Sequence, residues 1–284
     1  MAGGGTIMSP ADRQAPITIA ISTSESPDMA ALGLSEGHLK EATAELALQL
    51  LASGANLAYG GDLRAHGFTR LLFQLVLRYT STSDLQDAVR VTNHLAWPVH
   101  IRMPVDQIDQ LATELRGAAD LVLLGCDGTR VAMDARRKLP SRDPTEEEWR
   151  SGLTAMREFQ RSSTDARVLL GGQVANFKGS MPGLAEEALV SLRAGQPVFL
   201  IGGFGGCARD IAETLGLVGP WDGSRNGWAG RRRLEEWTGR DLNNGLSDEE
   251  NQALASTPFI GQAVMLVLRG VGRLREQRSE QRAW

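Results

Sequence analysis

Residues 166–203 read ARVLLGGQVANFKGSMPGLAEEALVSLRAGQPVFLIGG, and this stretch decides the fold class. Two apolar runs, 166–172 and 197–203, each end in paired glycines and are typical of parallel strands that are buried on both faces. Between them, Pro182 suits the first position of a helix whose apolar residues recur at a spacing of three and four. A strand, a helix and a second strand in this order predict a parallel pair joined by a right-handed crossover.

The same alternation of strands and helices continues toward the N-terminus. We expect strands in ITIAIS, NLAYGG, LAWPVH and ADLVLLG, at residues 17–22, 56–61, 95–100 and 119–125. Helical spacing predicts helices near 35–52, 69–78, 105–115 and 145–161, with a polar, basic insert at 127–143. The predicted fold class is therefore α/β, a Rossmann-like parallel sheet flanked by helices on both faces.

Three segments are expected along the chain. Residues 1–16 have neither a signal-peptide pattern nor a strand pattern and are expected to form a disordered tail, whereas 17–216 form the Rossmann-like domain. Beyond 216 the chain is rich in Gly, Trp and Arg, but Ser247 and Glu250 form an S-x-x-E capping box and 263–274 are typical of a last helix. We expect 217–284 to be a loop and a helical C-terminal extension packed on the same domain.

Composition excludes several function classes. The 284 residues carry a net charge of −4 and are 42% hydrophobic and 23% charged, which is typical of a soluble globular protein and not of a nucleic-acid binder. No apolar run approaches the roughly 20 residues that span a bilayer. Cys126 and Cys207 lie beside apolar runs, which favours reduced thiols and a cytoplasmic location. We expect no cofactor and no metal, because ligand-like spacing is absent around the four histidines, His38, His66, His94 and His100.

The loops that follow the strands are the places where chemistry is expected, because ligands of open parallel sheets bind at the carboxyl ends of strands. These loops read STSESPD, GGDLR, GGQVANFKGSMPG and GGFGG. Paired glycines let backbone N–H groups approach an anion, and helix N-termini add positive potential. We therefore expect a nucleotide phosphate at these ligand-binding residues: Ser22, Thr23, Ser24, Gly60, Gly61, Asp62, Arg64, Gly171, Gly172, Lys178, Gly179, Ser180, Met181, Pro182, Gly183, Glu187, Gly202, Gly203, Phe204 and Gly205.

Two other interpretations of the glycines stay open. Glycines after buried strands also make tight turns and close helix contacts, in which case the loops serve only the scaffold. Gly203, Gly205 and Ala208 match the dinucleotide fingerprint G-x-G-x-x-A, which would indicate nicotinamide chemistry. That signal is weak, because the match lies after the last clear strand rather than early in the sheet.

Charged residues near these loops are candidates for chemistry. Glu186 and Glu187 flank the apolar stripe of their helix almost symmetrically, so spacing does not choose between them, and acids at a helix start also stabilise the helix dipole. On the preceding helix, Arg157 lies nearer the apolar face than Arg161. An inward guanidinium needs an anionic partner, either a ligand phosphate or Glu186.

Four short motifs carry a family resemblance: AIS at 20–22, AYGG at 58–61, AMRE at 155–158 and GSMPGLAEEA at 179–188. Over residues 17–216 the chain resembles the SLOG superfamily of Rossmann-like nucleotide-binding domains, which includes the lonely-guy phosphoribohydrolases. The last motif stands where those enzymes have PGGxGTxxE, with Leu184 in place of the threonine.

The resemblance implies hydrolysis of the N-glycosidic bond of a nucleoside monophosphate. Carried over by motif, the catalytic residues are Glu186 and Arg157. The resemblance further implies a nucleotide-derived small molecule as partner and a homodimer. The composition and the lack of a long apolar run predict no nucleic-acid or membrane partner. The alternative is a sensor or scavenger that binds a nucleotide-derived signal, for example in bacterial defence, without consuming it.

Overall fold

A computed structural model describes residues 16–61, 74, 91–116, 119–221 and 227–282. Its centre is an all-parallel, six-stranded sheet with the strand order β4-β3-β2-β1-β5-β6. The strands are β1 (Thr18–Ser24), β2 (Asn56–Tyr59), β3 (Val91–Leu95), β4 (Ala119–Leu123), β5 (Ala166–Gly171) and β6 (Val198–Ile201). The predicted α/β fold class is confirmed.

Nine α-helices belong to the described residues. They are α1 (Glu36–Ala52), α2 (Trp97–His100), α3 (Val105–Glu114), α4 (Met133–Arg137), α5 (Glu146–Ser162), α6 (Gly183–Arg193), α7 (Gly206–Thr214), α8 (Asp248–Ser256) and α9 (Ile260–Arg282). The helix expected near 69–78 lies, except for residue 74, outside the described residues. Within the described part of the chain, no helix combines the length and apolar character needed to cross a membrane.

Helices cover both faces of the sheet. Alternate residues of β5 show this, because Val168 and Leu170 pack with α1 and α9, whereas Leu169 packs with α6 and α7 on the other face. A continuous apolar strand is the expected consequence of burial on both sides. Arg167 precedes Val168 and therefore shares the face of Leu169, where α5 and α6 lie.

The strand predicted in LAWPVH is wrong in its placement. The strand is Val91–Leu95, and the four residues from Trp97 onward form the helix α2, with Pro98 in its first turn. Proline lacks the N–H group that a central parallel strand needs on its ladder, whereas the first turn of a helix requires none. Val91 and Thr92 instead supply the β-branched side chains that strands favour.

The basic insert at 127–143 contains the helix α4 and a fully buried arginine, Arg136. Its guanidinium donates hydrogen bonds to four backbone carbonyls, those of His100 (2.9 Å), Ile101 (3.3 Å), Met103 (2.7 Å) and Leu139 (2.9 Å). The first of these carbonyls ends α2, where helical partners run out. Arg136 therefore fixes the path of the chain after β3.

The C-terminal helices complete the sheet. Asn244 is buried and donates its Nδ2 to the carbonyl of Val198 at 2.8 Å, which covers part of the β6 edge. The capping box predicted at Ser247 and Glu250 begins α8. The helix α9 then packs against α1 with Val267 and Val271 in the shared core.

Candidate functional site

A cavity of about 580 Å³ lies at the carboxyl ends of β1, β2 and β5. The strand order reverses between β1 and β5, where Ser24 pairs with Gly171, and open parallel sheets bind ligands at such a switch point. The predicted site residues that line the cavity are Ser22, Thr23, Ser24, Gly60, Gly61, Arg157, Lys178, Gly183 and Glu187. Further lining residues, which the sequence did not single out, include Tyr59, Trp149, Leu153, Asn176 and Phe177. Asp62 and Arg64 lie outside the described residues.

The segment 173–182, which we call the strap, forms one wall of the cavity. The Gln173 amide donates to Ser24 Oγ at 3.1 Å, and the Gln173 side chain contacts Glu25, so the strap is tied to the end of β1. The backbone N–H groups of residues 174–181 donate to none of the described residues. The helix α6 follows with no side-chain cap, and the N–H groups of its first turn have no side-chain partner among the described residues. These amides can bind an anion.

A second wall carries an unpartnered hydroxyl. Thr23 is 6% exposed and lines the cavity, and its Oγ1 has no hydrogen-bond partner among the described residues. A buried hydroxyl without a partner costs free energy, which a polar ligand atom would recover. This position therefore favours a ligand with hydrogen-bonding groups.

The structure distinguishes the two adjacent glutamates. Glu186 forms an ion pair with Arg157 and accepts a hydrogen bond from Thr154, and it does not line the cavity. Glu187 lines the cavity, with its Oε1 3.7 Å from Arg157 Nε. Arg157 points inward as predicted, with only 7% of its side chain exposed. Its anionic partners are both glutamates.

Arg167, on β5, belongs to the same cluster and was missed by the sequence analysis. It is fully buried, and its Nη1 lies 3.5 Å from Glu187 Oε2. Burial lowers the pKa of Arg167, while the nearby Glu187 opposes that shift. The signal that would have identified it is a charged residue inside an otherwise apolar strand, which requires a buried polar partner.

Several predicted ligand-binding glycines instead serve packing. A Cβ on Gly172 would lie 2.6 Å from Leu184, and one on Gly203 would lie 1.8 Å from the Thr257 carbonyl oxygen. These predicted ligand-binding residues do not line the cavity at β1, β2 and β5: Gly171, Gly172, Gly202, Gly203, Phe204 and Gly205. Gly202, Gly203 and Gly205 line a separate cavity of about 200 Å³.

The dinucleotide fingerprint is occupied by the protein itself. The N–H group of Gly206, the first residue of α7, donates to the buried Asp28 carboxylate at 2.6 Å. An internal carboxylate thus fills the helix N-terminus where a pyrophosphate would bind.

Four more strap residues, Gly179, Ser180, Met181 and Pro182, lie outside the cavity lining, and Met181 packs in the apolar core beneath α6. The strap thus presents its first residue and its centre, Gln173 and Asn176 to Lys178, to the cavity, whereas its C-terminal end lies away from it. These four residues, which were predicted to bind the ligand, therefore do not line the cavity.

A second cavity of about 450 Å³ adjoins the first and shares Gly60, Gly61, Trp149, Leu153, Arg157, Gln173, Asn176, Lys178 and Glu187 with it. Its own lining includes Val99, Met156 and His94. Burial lowers the pKa of His94 to about 4, and the charges of Arg130 and Arg167 add to that shift. This chamber is therefore bounded by apolar side chains and, at pH 7, a neutral imidazole, together with the charged residues Arg102, Arg157, Lys178 and Glu187.

Other candidate chemistry is sparse in the described residues. No three side chains of His, Cys, Asp or Glu meet there in an arrangement that would hold a metal ion. Cys207 is buried and Cys126 is half-buried, and neither forms a disulfide bond among the described residues. Burial raises the pKa of the Cys126 thiol.

Comparison with known proteins identifies a family. No curated protein matches the chain. A family model described as SLOG cluster2 matches residues 13–236, a span that contains all six strands and the helices α1 to α7. This span covers more than half of the chain and includes the cavity at the switch point. The chain therefore belongs to the SLOG family.

Proposed function

We propose that the chain binds a nucleotide or a nucleotide-derived phosphate ester in the cavity between β1 and β5 and hydrolyses its N-glycosidic bond. The observation that carries the proposal is that two features line one cavity at the switch point. They are the strap residues Asn176 to Lys178, whose backbone amides have no partner among the described residues, and Glu187. Membership of the SLOG family supports a nucleotide as the ligand.

The phosphate is assigned to the strap and the start of α6. Gly183 and Leu184 of the first turn line the cavity, and Lys178 lies beside them on the strap. N–H groups at a helix start and a lysine ammonium together bind phosphate well. Arg157 is less suited to this role than the sequence indicated, because its guanidinium is already engaged by Glu186 and Glu187.

The base is assigned to the adjoining chamber. Trp149, Leu153 and Met156 provide apolar surface there, and the ring of Trp149 carries Arg102 at 5.9 Å from its centroid. Flat heterocycles bind to such surfaces by stacking and by burial of apolar area. With the phosphate at α6 and the base at Trp149, the glycosidic bond lies close to the wall that the two cavities share. That wall includes Glu187.

Glu187 is assigned the catalytic role that the sequence gave to Glu186. Only Glu187 lines the cavity, and the family motif counted from Leu184 also places its glutamate three residues later, at Glu187. Its carboxylate accepts a proton from water as the water oxygen attacks the anomeric carbon. The carbon–nitrogen bond breaks, and the base leaves with its electron pair and takes up a proton from solvent.

Base release is the direct test. Purified protein is incubated with each nucleoside monophosphate, free base is separated by chromatography, and binding is followed by thermal shift. We expect Glu187→Gln to lower base release about 100-fold or more while affinity changes less than about tenfold, roughly 1.4 kcal/mol. The matched control is Glu186→Gln, which leaves the residues of the cavity wall unchanged. It should mainly lower the stability of the folded protein. Wild-type rates in Glu187→Gln would contradict the catalytic assignment.

A sensor or scavenger is the second candidate function. The observation that favours it is the engagement of both buried acids by arginines, since a paired carboxylate can serve structure alone. Thermal stabilisation of the wild type by a nucleotide without release of base would support binding alone. The absence of any nucleotide-dependent shift would contradict both functions.

A further inference from the structure

Arg167 is a fully buried charge within the parallel sheet, and the free-energy cost of burying it calls for an explanation. It lies on β5, next to the strand β1 and on the face that α5 and α6 cover. Burying a guanidinium is expensive, and an apolar side chain of similar volume is often as stabilising or more so. Its contacts therefore indicate what the charge does.

The guanidinium connects three elements that build the cavity wall. Nη1 donates to Ser22 Oγ on β1 at 2.7 Å and to Gln160 Oε1 on α5 at 2.9 Å. Nε donates to Ser191 Oγ on α6 at 3.0 Å. Ser22 itself lines the cavity, so one end of this network is exposed to the site.

The same guanidinium also acts on Glu187. Each carboxylate oxygen of Glu187 faces a different arginine: Oε2 lies 3.5 Å from Arg167 Nη1 and Oε1 lies 3.7 Å from Arg157 Nε. Two cations that attract different oxygens restrict rotation of the carboxyl group. Arg167 Nη2 has no hydrogen-bond partner among the described residues, so no other described acceptor engages this nitrogen.

We propose that Arg167 is a positioning residue of the site, which fixes the carboxylate of Glu187 and the hydroxyl of Ser22 at the cavity wall. The inference rests on the proposed function for its catalytic consequence, whereas the positions of the two side chains stand independently of it. Arg167 touches no ligand, because it is wholly buried beneath the wall. Its contribution is to present Glu187 in one orientation.

The test compares Arg167→Met and Arg167→Lys with the control Arg136→Met. Arg136 is equally buried, but it donates to backbone carbonyls away from the cavity. In Arg167→Met we expect kcat for base release to fall about 100-fold with KM within about threefold, because ground-state binding persists while orientation is lost. Arg167→Lys restores a cation beside Glu187 and should recover about tenfold of that loss. Arg136→Met should lower the melting temperature and leave kcat within about twofold.

Crystal structures of the same variants give a readout that needs no activity. We expect the carboxylate of Glu187 in Arg167→Met to adopt a different rotamer from the wild type, and Arg136→Met to leave it in place. Glu187 and Ser22 unmoved in Arg167→Met, or an equal loss of kcat in Arg136→Met, would overturn the proposal.

Failure of the proposed hydrolysis can be distinguished from failure of the positioning role. If wild-type protein releases no base, the proposed hydrolysis fails, and the position of Glu187 in the Arg167→Met crystal still decides the role of Arg167. If Arg167→Met does not fold, Arg167→Lys carries the test. Loss of the Ser22 hydrogen bond with a lowered kcat and an unchanged KM would then support positioning, and wild-type kinetics in a protein whose Ser22 has moved would refute it.

Discussion

Removal of the Arg157 guanidinium should destabilise the protein severely. In Arg157→Met, the buried carboxylate of Glu186 loses its ion pair, and Glu187 keeps only Arg167 at 3.5 Å. The side chains of Arg157 and Glu186 are only 7% and 8% exposed, so water does not replace the missing cation. Breaking a buried pair on one side costs about 3–5 kcal/mol. For a chain of this size, each kcal/mol lowers Tm by about 2–4 °C, which gives a decrease of roughly 10 °C.

The same helix offers a matched control for that prediction. Arg150 pairs with Glu147 on α5, but the two side chains are 53% and 72% exposed. Arg150→Met should therefore cost less than about 1 kcal/mol. Unfolding in urea, followed by tryptophan fluorescence and by circular dichroism, measures both variants. The reasoning is refuted if Arg157→Met and Arg150→Met are equally stable.

A double variant separates the ion pair from simple loss of packing. In Arg157→Met with Glu186→Gln, the uncompensated carboxylate of Glu186 is gone, and part of the stability should return. We expect a coupling free energy of about 1–3 kcal/mol between the two positions. Additive effects would indicate that Arg157 contributes through its aliphatic stem alone.

Three further predictions concern pH, packing and binding. The pKa of His94 is about 4 in the folded chain against 6.5 for a free histidine, so unfolded chains take up protons first and stability falls from about pH 6.5 to pH 4. In urea unfolding, His94→Phe should reduce the loss of stability between pH 7 and pH 5 by roughly 2 kcal/mol, and an unchanged loss would contradict this. Gly203→Ala should lower the yield of folded protein or its Tm, because its Cβ would meet the Thr257 carbonyl at 1.8 Å; a wild-type Tm argues against that contact. Lys178→Ala should weaken nucleotide binding about tenfold in calorimetry without a change in Tm, since Lys178 is exposed on the strap; unchanged affinity would place the phosphate elsewhere.

The fold class followed from local patterns. Apolar runs that end in glycine and helices of regular spacing depend on neighbours close in sequence, and they predicted five of the six strands near their observed places. The exception, LAWPVH, shows the limit of apolar character alone, because Pro98 favours the first turn of a helix whatever the polarity around it. The inward direction of Arg157 was also predicted, since helical spacing fixes the face on which a side chain lies.

The site needed the tertiary structure. Spacing placed Glu186 and Glu187 symmetrically about one stripe. Only the packing of α6 against α5 brought Glu186 to Arg157, 29 residues earlier in the chain, and placed Glu187, which also contacts Arg157, on the wall of the cavity. Arg167 meets Ser22 across 145 residues, a contact that no local pattern contains. The glycines of the last loop resembled those of the strap in sequence, yet they lie against Asp28 and Thr257 and line a separate cavity. The sequence by itself determined which helix faces and which loops are available to a site, because these depend on periodicity along the chain. Long-range packing decided which charged groups meet there, because ion pairs and cavities arise between elements that are distant in sequence.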